Sequence, residues 1–396
     1  MHTRLIELTD YLDRQQRELS TVLRGIPEDQ RREPPARGRW SAVDVIEHLG
    51  LIERLLAGRF ATWIAEARAK GVGTELDSTP ILPSINTARA VDRSTRVVAP
   101  EPGRPTGQIA PDAAWQMFKD ARAEVKRVIA TADGLALSEV IHPHRVLGPM
   151  TMYEWIAFVG SHTSRHAAQL VEIGTALAAR RRWAAVDEYI GSQIVPSDPA
   201  LDAALAASSA AGLPDIQVTP AQGKLLHIFA RMIGARAVLE VGTLGGYSTI
   251  WLARALPEGG RLITLEIDPK HAEVARANLT RANLSHLVDV RLGPALESLP
   301  HVTGPFDLVF IDADKPGNAD YFTWAVRLAR PGGVIIVDNV VRDGDVIDEA
   351  HPDPDVQGVR RLNAVIANEP GVTATTIQTV GTKGYDGFTV AIKTTL

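Results

Sequence analysis

Cysteine is absent from the 396 residues, so there is no disulfide framework, no thiolate metal site and no cysteine nucleophile. Long apolar runs are absent too. No stretch reaches the roughly 20 apolar residues of a membrane span, and the opening MHTRLIELTDYLDRQQREL lacks the apolar core of a signal peptide. A soluble cytoplasmic protein with no membrane partner is expected. Charge of one sign is also missing, because 42 basic against 47 acidic residues leave a net −5. The only basic cluster is Arg180-Arg181-Arg182, which reads as a solvated helix end, so the electrostatic footprint of a nucleic-acid binder is lacking.

What is present suits a globular chain. Hydrophobic residues make up 45% and charged residues 22%, enough to build a core and far from a disordered composition. At roughly 100–200 residues per domain the length implies two or three domains. The charge divides unevenly: residues 1–183 carry 25 Lys/Arg against 22 Asp/Glu, and the remainder 17 against 25. The pattern of elements changes at the same place, giving domains at 1–182 and 183–396.

The first 180 residues read as helix. Leu5, Leu8, Leu12, Leu19 and Leu23 follow helical spacing, as do Val43, Ile46, Leu49, Ile52 and Leu56. Ser41 with Asp44 three positions later marks a helix start just before the second run. A Gly- and Pro-rich break spans about 71–110, and further helices are expected over 111–132 and 149–179. Four amphipathic helices with one long connection predict a four-helix bundle. After a helical stretch to about 234, seven short apolar runs follow: Ala237–Val241, Leu262–Ile267, Val288–Leu292, Leu308–Ile311, Val334–Val337, Thr373–Val380 and Phe388–Ile392. The first five alternate with helical segments and read as strands of a parallel sheet, the last two as a terminal antiparallel pair. The fold class is therefore α + α/β, a bundle followed by a Rossmann-like domain with a mostly parallel seven-stranded sheet.

The sharpest motif is Val238-Leu239-Glu240-Val241-Gly242-Thr243-Leu244-Gly245-Gly246-Tyr247-Ser248, a strand with an acidic end and a Gly turn opening a helix. Its Leu244 departs from the Gly-x-Gly-x-x-Gly of dinucleotide-binding dehydrogenases. Glu240 would also repel a pyrophosphate and suits a cationic ligand. The next strand ends at Glu266, 24 residues after Gly242, where a carboxylate can accept from ribose hydroxyls. A cation near Glu240 and a ribose at Glu266 describe S-adenosylmethionine (SAM).

At this point residues 185–396 resemble the class I methyltransferases, and among them the cation-dependent O-methyltransferases of the catechol and caffeoyl-CoA type. Two later strands end in Asp312 and in Asp338-Asn339, and a doubly wound sheet gathers strand ends, so these three can converge on a hard cation such as Mg²⁺. The resemblance implies Lys315 as general base for a hydroxyl of a small acceptor with vicinal hydroxyls. It also implies cofactor contacts from Val218, Gly242, Tyr247, Ser248, Ala295 and Asp312, beside Glu240 and Glu266. Asp314 is left unassigned. A homodimer is expected.

In the helical half, His162 and His166 are i and i+4, on one helix face, and His48 lies among inward positions of the second helix. With the Trp40-Ser41 helix start this resembles the DinB-like bundles, which implies a divalent transition metal, Zn²⁺, Ni²⁺ or Fe²⁺, held by His48, His162 and His166. The bundle is then either a second enzyme or a non-catalytic interaction module. His142 and His144 read as a solvated turn, and Trp63, Trp115 and Trp155 as core.

Overall fold

The structure, a computed structural model, describes residues 1–36, 38–94, 97–196 and 198–394. It divides into two compact units, Met1–Ala179 and Arg180–Leu396. Among the described residues no helix is long and apolar enough to cross a membrane.

The first unit is built on α1 (Thr3–Arg24), α2 (Ala42–Ala69), the short α3 (Ala88–Val91), α4 (Pro111–Ala130), a hairpin of β1 (Ile141–His144) and β2 (Gly148–Thr151), and the start of α5 (Met152–Ile194). Ser41 begins α2 as its spacing with Asp44 suggests: the Ser41 hydroxyl accepts from Asp44 N at 3.2 Å, and Ser41 N donates to the Asp44 carboxylate at 2.8 Å. The leucines of α1 are buried, with Leu5, Leu8 and Leu12 packed against Phe60, Val125 and Ile156, and Leu19 against Ile46, Phe118 and Leu170. Each contributes roughly 1.5–3 kcal/mol of burial. One charged group crosses this core. Arg122 forks onto Glu53 at 2.7 and 2.5 Å and also donates to Leu12 O and Thr163 Oγ1, each at 2.7 Å, tying α1, α2, α4 and α5 together.

Two expectations need correction here. His142 and His144 lie in strand β1 and not in a solvated turn, because the four-residue strands around Arg145–Leu147 pair before α5 begins. The triple-arginine cluster does not end a helix either. The α5 helix continues through Arg180-Arg181-Arg182 to Ile194, a solvated stretch that needs no buried face to carry on.

The second unit holds the remainder of α5, then α6 (Pro199–Ala210), α7 (Pro220–Met232), β3 (Ala237–Val241), α8 (Tyr247–Ala253), β4 (Arg261–Glu266), α9 (Pro269–Arg281), β5 (Val288–Leu292), α10 (Ala295–Ser298), β6 (Phe306–Ile311), α11 (Asn318–Leu328), β7 (Ala329–Asp338), α12 (Pro354–Ala367), β8 (Val372–Gly381) and β9 (Gly384–Lys393). The seven strands form one sheet in the order β5-β4-β3-β6-β7-β9-β8, parallel except for β9, which runs antiparallel to both neighbours. Alternate side chains supply two cores. Val238, Leu262, Phe310 and Ile336 face one layer of helices, Leu239, Ile263, Ile311 and Val337 the other. Chain order reverses between β3 and β6, and in open sheets ligands collect outside the strand ends at such a switch point.

Candidate functional site

Register alone assembles the carboxyl edge of the sheet. Val241 pairs with Ile311 and Ile311 with Val337, so the next residues, Gly242, Asp312 and Asp338, lie side by side although 96 positions apart at the extremes. Gly242 is required by this crowding: at φ +96° a Cβ there would stand 2.1 Å from the Asp312 carbonyl oxygen. The neighbouring strand end fills the space that a side chain would take.

Lys315 is buried three residues beyond Asp312, and its Nζ donates to Asp312 Oδ1 at 3.1 Å. The unassigned Asp314 shapes that loop. It accepts from Gly317 N at 3.0 Å and from the Tyr321 hydroxyl at 2.6 Å. Asp338 is only 4% exposed. Burial pushes its carboxyl up to about 7, Asp312 adds to this by repulsion, and Lys315, the Asn339 N–H at 2.9 Å and the Gln222 side chain act against it. Asn339 takes a left-handed backbone at φ 59°, which Asn tolerates better than most residues. Two crowded carboxylates beside an amide-bearing residue at a sheet edge form an oxygen donor set that fits a hard divalent cation.

On the other side of Gly242 lies a polar cluster. Glu240 is fully buried, and its carboxylate accepts from three hydroxyls, Ser248 at 2.7 Å, Thr249 at 2.5 Å and Thr264 at 2.7 Å. Burial raises it to about 7 against those bonds. Of the three partners Thr249 and Thr264 are buried, and Ser248 is half-buried. Glu266 accepts from Thr243 N and Leu244 N at 3.1 and 2.7 Å and from Asp268 N at 2.9 Å, so it braces the glycine turn. Val218 is buried ahead of Thr219, the N-cap of α7, and Tyr247 is buried in the core at the start of α8. Ala295 begins α10 beside Gly293, whose N–H donates to Glu266 O at 2.8 Å.

Sequence reasoning missed Gln222, although Thr219-x-x-Gln222 is a capping pattern that fixes its place in the first turn of α7. It also missed Lys383 in the β8–β9 turn; nearby, the Asp386 carboxylate accepts from Val341 N at 2.9 Å and Arg342 N at 3.1 Å.

In the first unit His48, His162 and His166 come together, each with a ring nitrogen within 4.8 Å of the others. His48 Nδ1 lies 2.6 Å from Gly103 O and His166 Nδ1 2.8 Å from Gln169 Oε1, so in both rings the acceptor takes the Nδ1 proton. The Nε2 atoms are left as donors to a metal. His162 Nε2 faces His166 Nε2 at 3.2 Å. Burial lowers the pKa of all three, with His166 at about 3 and His162 well below its ordinary value. Three neutral imidazoles suit zinc, nickel or iron(II). His144 stands outside this set. Its Nδ1 accepts from Val146 N and Leu147 N at 3.1 and 3.0 Å, and His142 stacks on Trp63 at 4.1 Å. Trp155 is buried in the core as expected, while Trp63 packs against it half-buried.

Comparisons with known proteins match this division. The O-methyltransferase family model matches residues 197–394, and that of the DinB superfamily residues 11–170. A catechol O-methyltransferase of Niastella koreensis is 53% identical over 211 residues, 52% of this chain and 96% of that protein. One from Mycobacterium tuberculosis is 56% identical over 208 residues, 52% of this chain and 94% of that one. The solved O-methyltransferase of Bacillus cereus, in complex with S-adenosylhomocysteine, shares 54% identity over 54% of this chain and 99% of its own, with a TM-score of 0.53. The enzyme of tomaymycin synthesis from Streptomyces achromogenes, in complex with SAM, shares 53% over 55% and 99%, also at 0.53. The chain belongs to the O-methyltransferase family and carries a DinB superfamily domain at its N-terminus.

Proposed function

We propose that residues 183–396 transfer a methyl group from SAM to one hydroxyl of a catechol-like acceptor, with a divalent cation at Asp312, Asp338 and Asn339. The observation that carries this reading is the register that sets Asp312 beside Asp338 with Lys315 on Asp312. The relatives named as catechol O-methyltransferases and the solved relatives holding SAM or its product support it.

Ser248 and Glu240 would hold the donor's amino-acid end, Glu266 its ribose and the backbone of Ala295 its base. Asp312, Asp338 and Asn339 would hold the cation, which when bound would supply Lewis acidity to the acceptor hydroxyls. Lys315 takes the proton of the reacting hydroxyl at Nζ. The oxygen forms a bond to the methyl carbon as the carbon–sulfur bond breaks, leaving a methyl ether and S-adenosylhomocysteine. Because the ends of three strands hold the groups, most of the rate comes from positioning. The test is transfer of labelled methyl from SAM to catechol and to phenol, with Mg²⁺ and with chelator. Product from catechol alone, lost with chelator, is expected; equal methylation of phenol would refute the reading.

We infer also that residues 1–182 bind one transition metal through His48, His162 and His166. The orientation of two rings by Gly103 O and Gln169 Oε1 supports a ligand set over three packing histidines.

A further inference from the structure

The last hairpin reaches past the sheet. In the β7–β9 ladder Asp338 pairs with Phe388, so Gly384–Gly387 and the turn before them extend beyond the carboxyl edge where Asp312 and Asp338 lie. At the tip is Lys383. Its Nζ donates to Asp215 O at 3.4 Å, and among the described residues no carboxylate pairs with it at ion-pair distance. Desolvation lowers its ammonium below the ordinary lysine value, while Asp215, Asp312 and Asp338 act in the other direction. The other basic groups around this mouth are committed: Lys315 to Asp312 at 3.1 Å, Arg342 to Asp355 at 3.1 Å, Arg180 to Asp343 at 3.7 Å.

The turn that carries Lys383 is held from one side chain. Asp187, on the part of α5 in the second unit, accepts with one carboxylate oxygen from Thr382 N at 2.7 Å and from the Thr382 hydroxyl at 3.0 Å. The same oxygen would lie 2.5 Å from a Cβ on Gly381, so the turn closes on it only because that residue is glycine. One turn residue is thus pinned twice, and the next residue is the lysine.

We propose that Lys383 reads an anionic substituent, a carboxylate, on the acceptor that bears the vicinal hydroxyls, and that Asp187 is the positioning residue for it. This rests on the methyl-transfer reading above. The acidic pair would hold the hydroxyl end of the acceptor, and Lys383, which among the described residues pairs with no carboxylate, is carried beyond that edge by the hairpin. A charged hydrogen bond of this kind is worth about tenfold to a hundredfold in affinity.

The experiment compares kcat/KM for 3,4-dihydroxybenzoate and for catechol, using the full chain with SAM and Mg²⁺. The wild type should favour the carboxylate about tenfold or more. Lys383→Gln should lower that ratio about tenfold through KM, and Lys383→Arg should restore it. Asp187→Ala should lower it in part, with Asp187→Asn, which keeps an acceptor for Thr382, closer to wild type. Added KCl should raise KM for the carboxylate more than for catechol in the wild type, a readout that needs no variant. An unchanged ratio in Lys383→Gln, or no salt effect specific to the carboxylate, overturns the inference while catechol turnover still upholds the methyl-transfer reading. Turnover of neither acceptor overturns both.

Discussion

The Nζ of Lys315 stands 3.1 Å from Oδ1 of Asp312, both at the carboxyl end of β6 and its following turn. In the proposed reaction Lys315 gives up this contact to take a hydroxyl proton beside the proposed cation ligand. Lys315→Ala should lower kcat about a hundredfold or more, with SAM affinity little changed, as measured by steady-state turnover and calorimetric titration. A small effect on kcat would assign the proton to another group.

Glu240 gives a pH signature to the folded protein. Its carboxyl rises from the ordinary 4.5 to about 7 on burial, so between those values the folded chain holds a proton that the unfolded chain has lost. The stability it contributes is complete below pH about 4.5 and is lost as pH rises through about 7, on the order of 3 kcal/mol in all. Melting temperature followed from pH 5 to 8 without ligand should decline more steeply in the wild type than in Glu240→Gln. Parallel slopes would show that the three hydroxyls keep Glu240 ionised.

The core of the first unit encloses the Arg122–Glu53 fork. Arg122→Ala strands a fully buried carboxylate and should cost about 3–5 kcal/mol, whereas the double change Arg122→Met with Glu53→Leu should cost much less. Urea denaturation of the three proteins, followed on the transition of the first unit, measures both. Equal losses for the single and double variants would show that the fork itself, more than the stranded charge, is what the unit needs.

The three-histidine set should bind about one transition metal per chain in protein purified without chelator, and His162→Ala should lose it. Gln169→Ala should weaken retention about tenfold to a hundredfold, because His166 then loses the acceptor that fixes its ring. Elemental analysis reads all three. Equal metal content in wild type and His162→Ala would make the histidines packing residues.

The strand-end residues were legible in the sequence for a physical reason. Parallel strands buried on both faces are unmistakable apolar runs, and whatever follows each run lies on a common edge, so Gly242, Asp312 and Asp338 could be placed together without any contact being known. His48, His162 and His166 were legible through helical period. The partners that orient them were not: Gly103 ends a single 3-10 turn in the connection before α4, 55 residues from His48. Nor could pairing across 195 residues bring Asp187 to Thr382, or helical period carry α5 through three consecutive arginines. The β1–β2 hairpin escaped notice because its strands are four residues long, and each contains a proline.

The Asp338→Ala variant separates the cation site from the SAM site, with SAM affinity measured by calorimetry and methyl transfer to catechol measured on the same preparation. No product above background is expected, with SAM bound within about threefold of wild type, because Glu240, Ser248 and Glu266 are untouched. Turnover that survives together with its dependence on added Mg²⁺ would contradict the assignment of the cation to Asp312, Asp338 and Asn339.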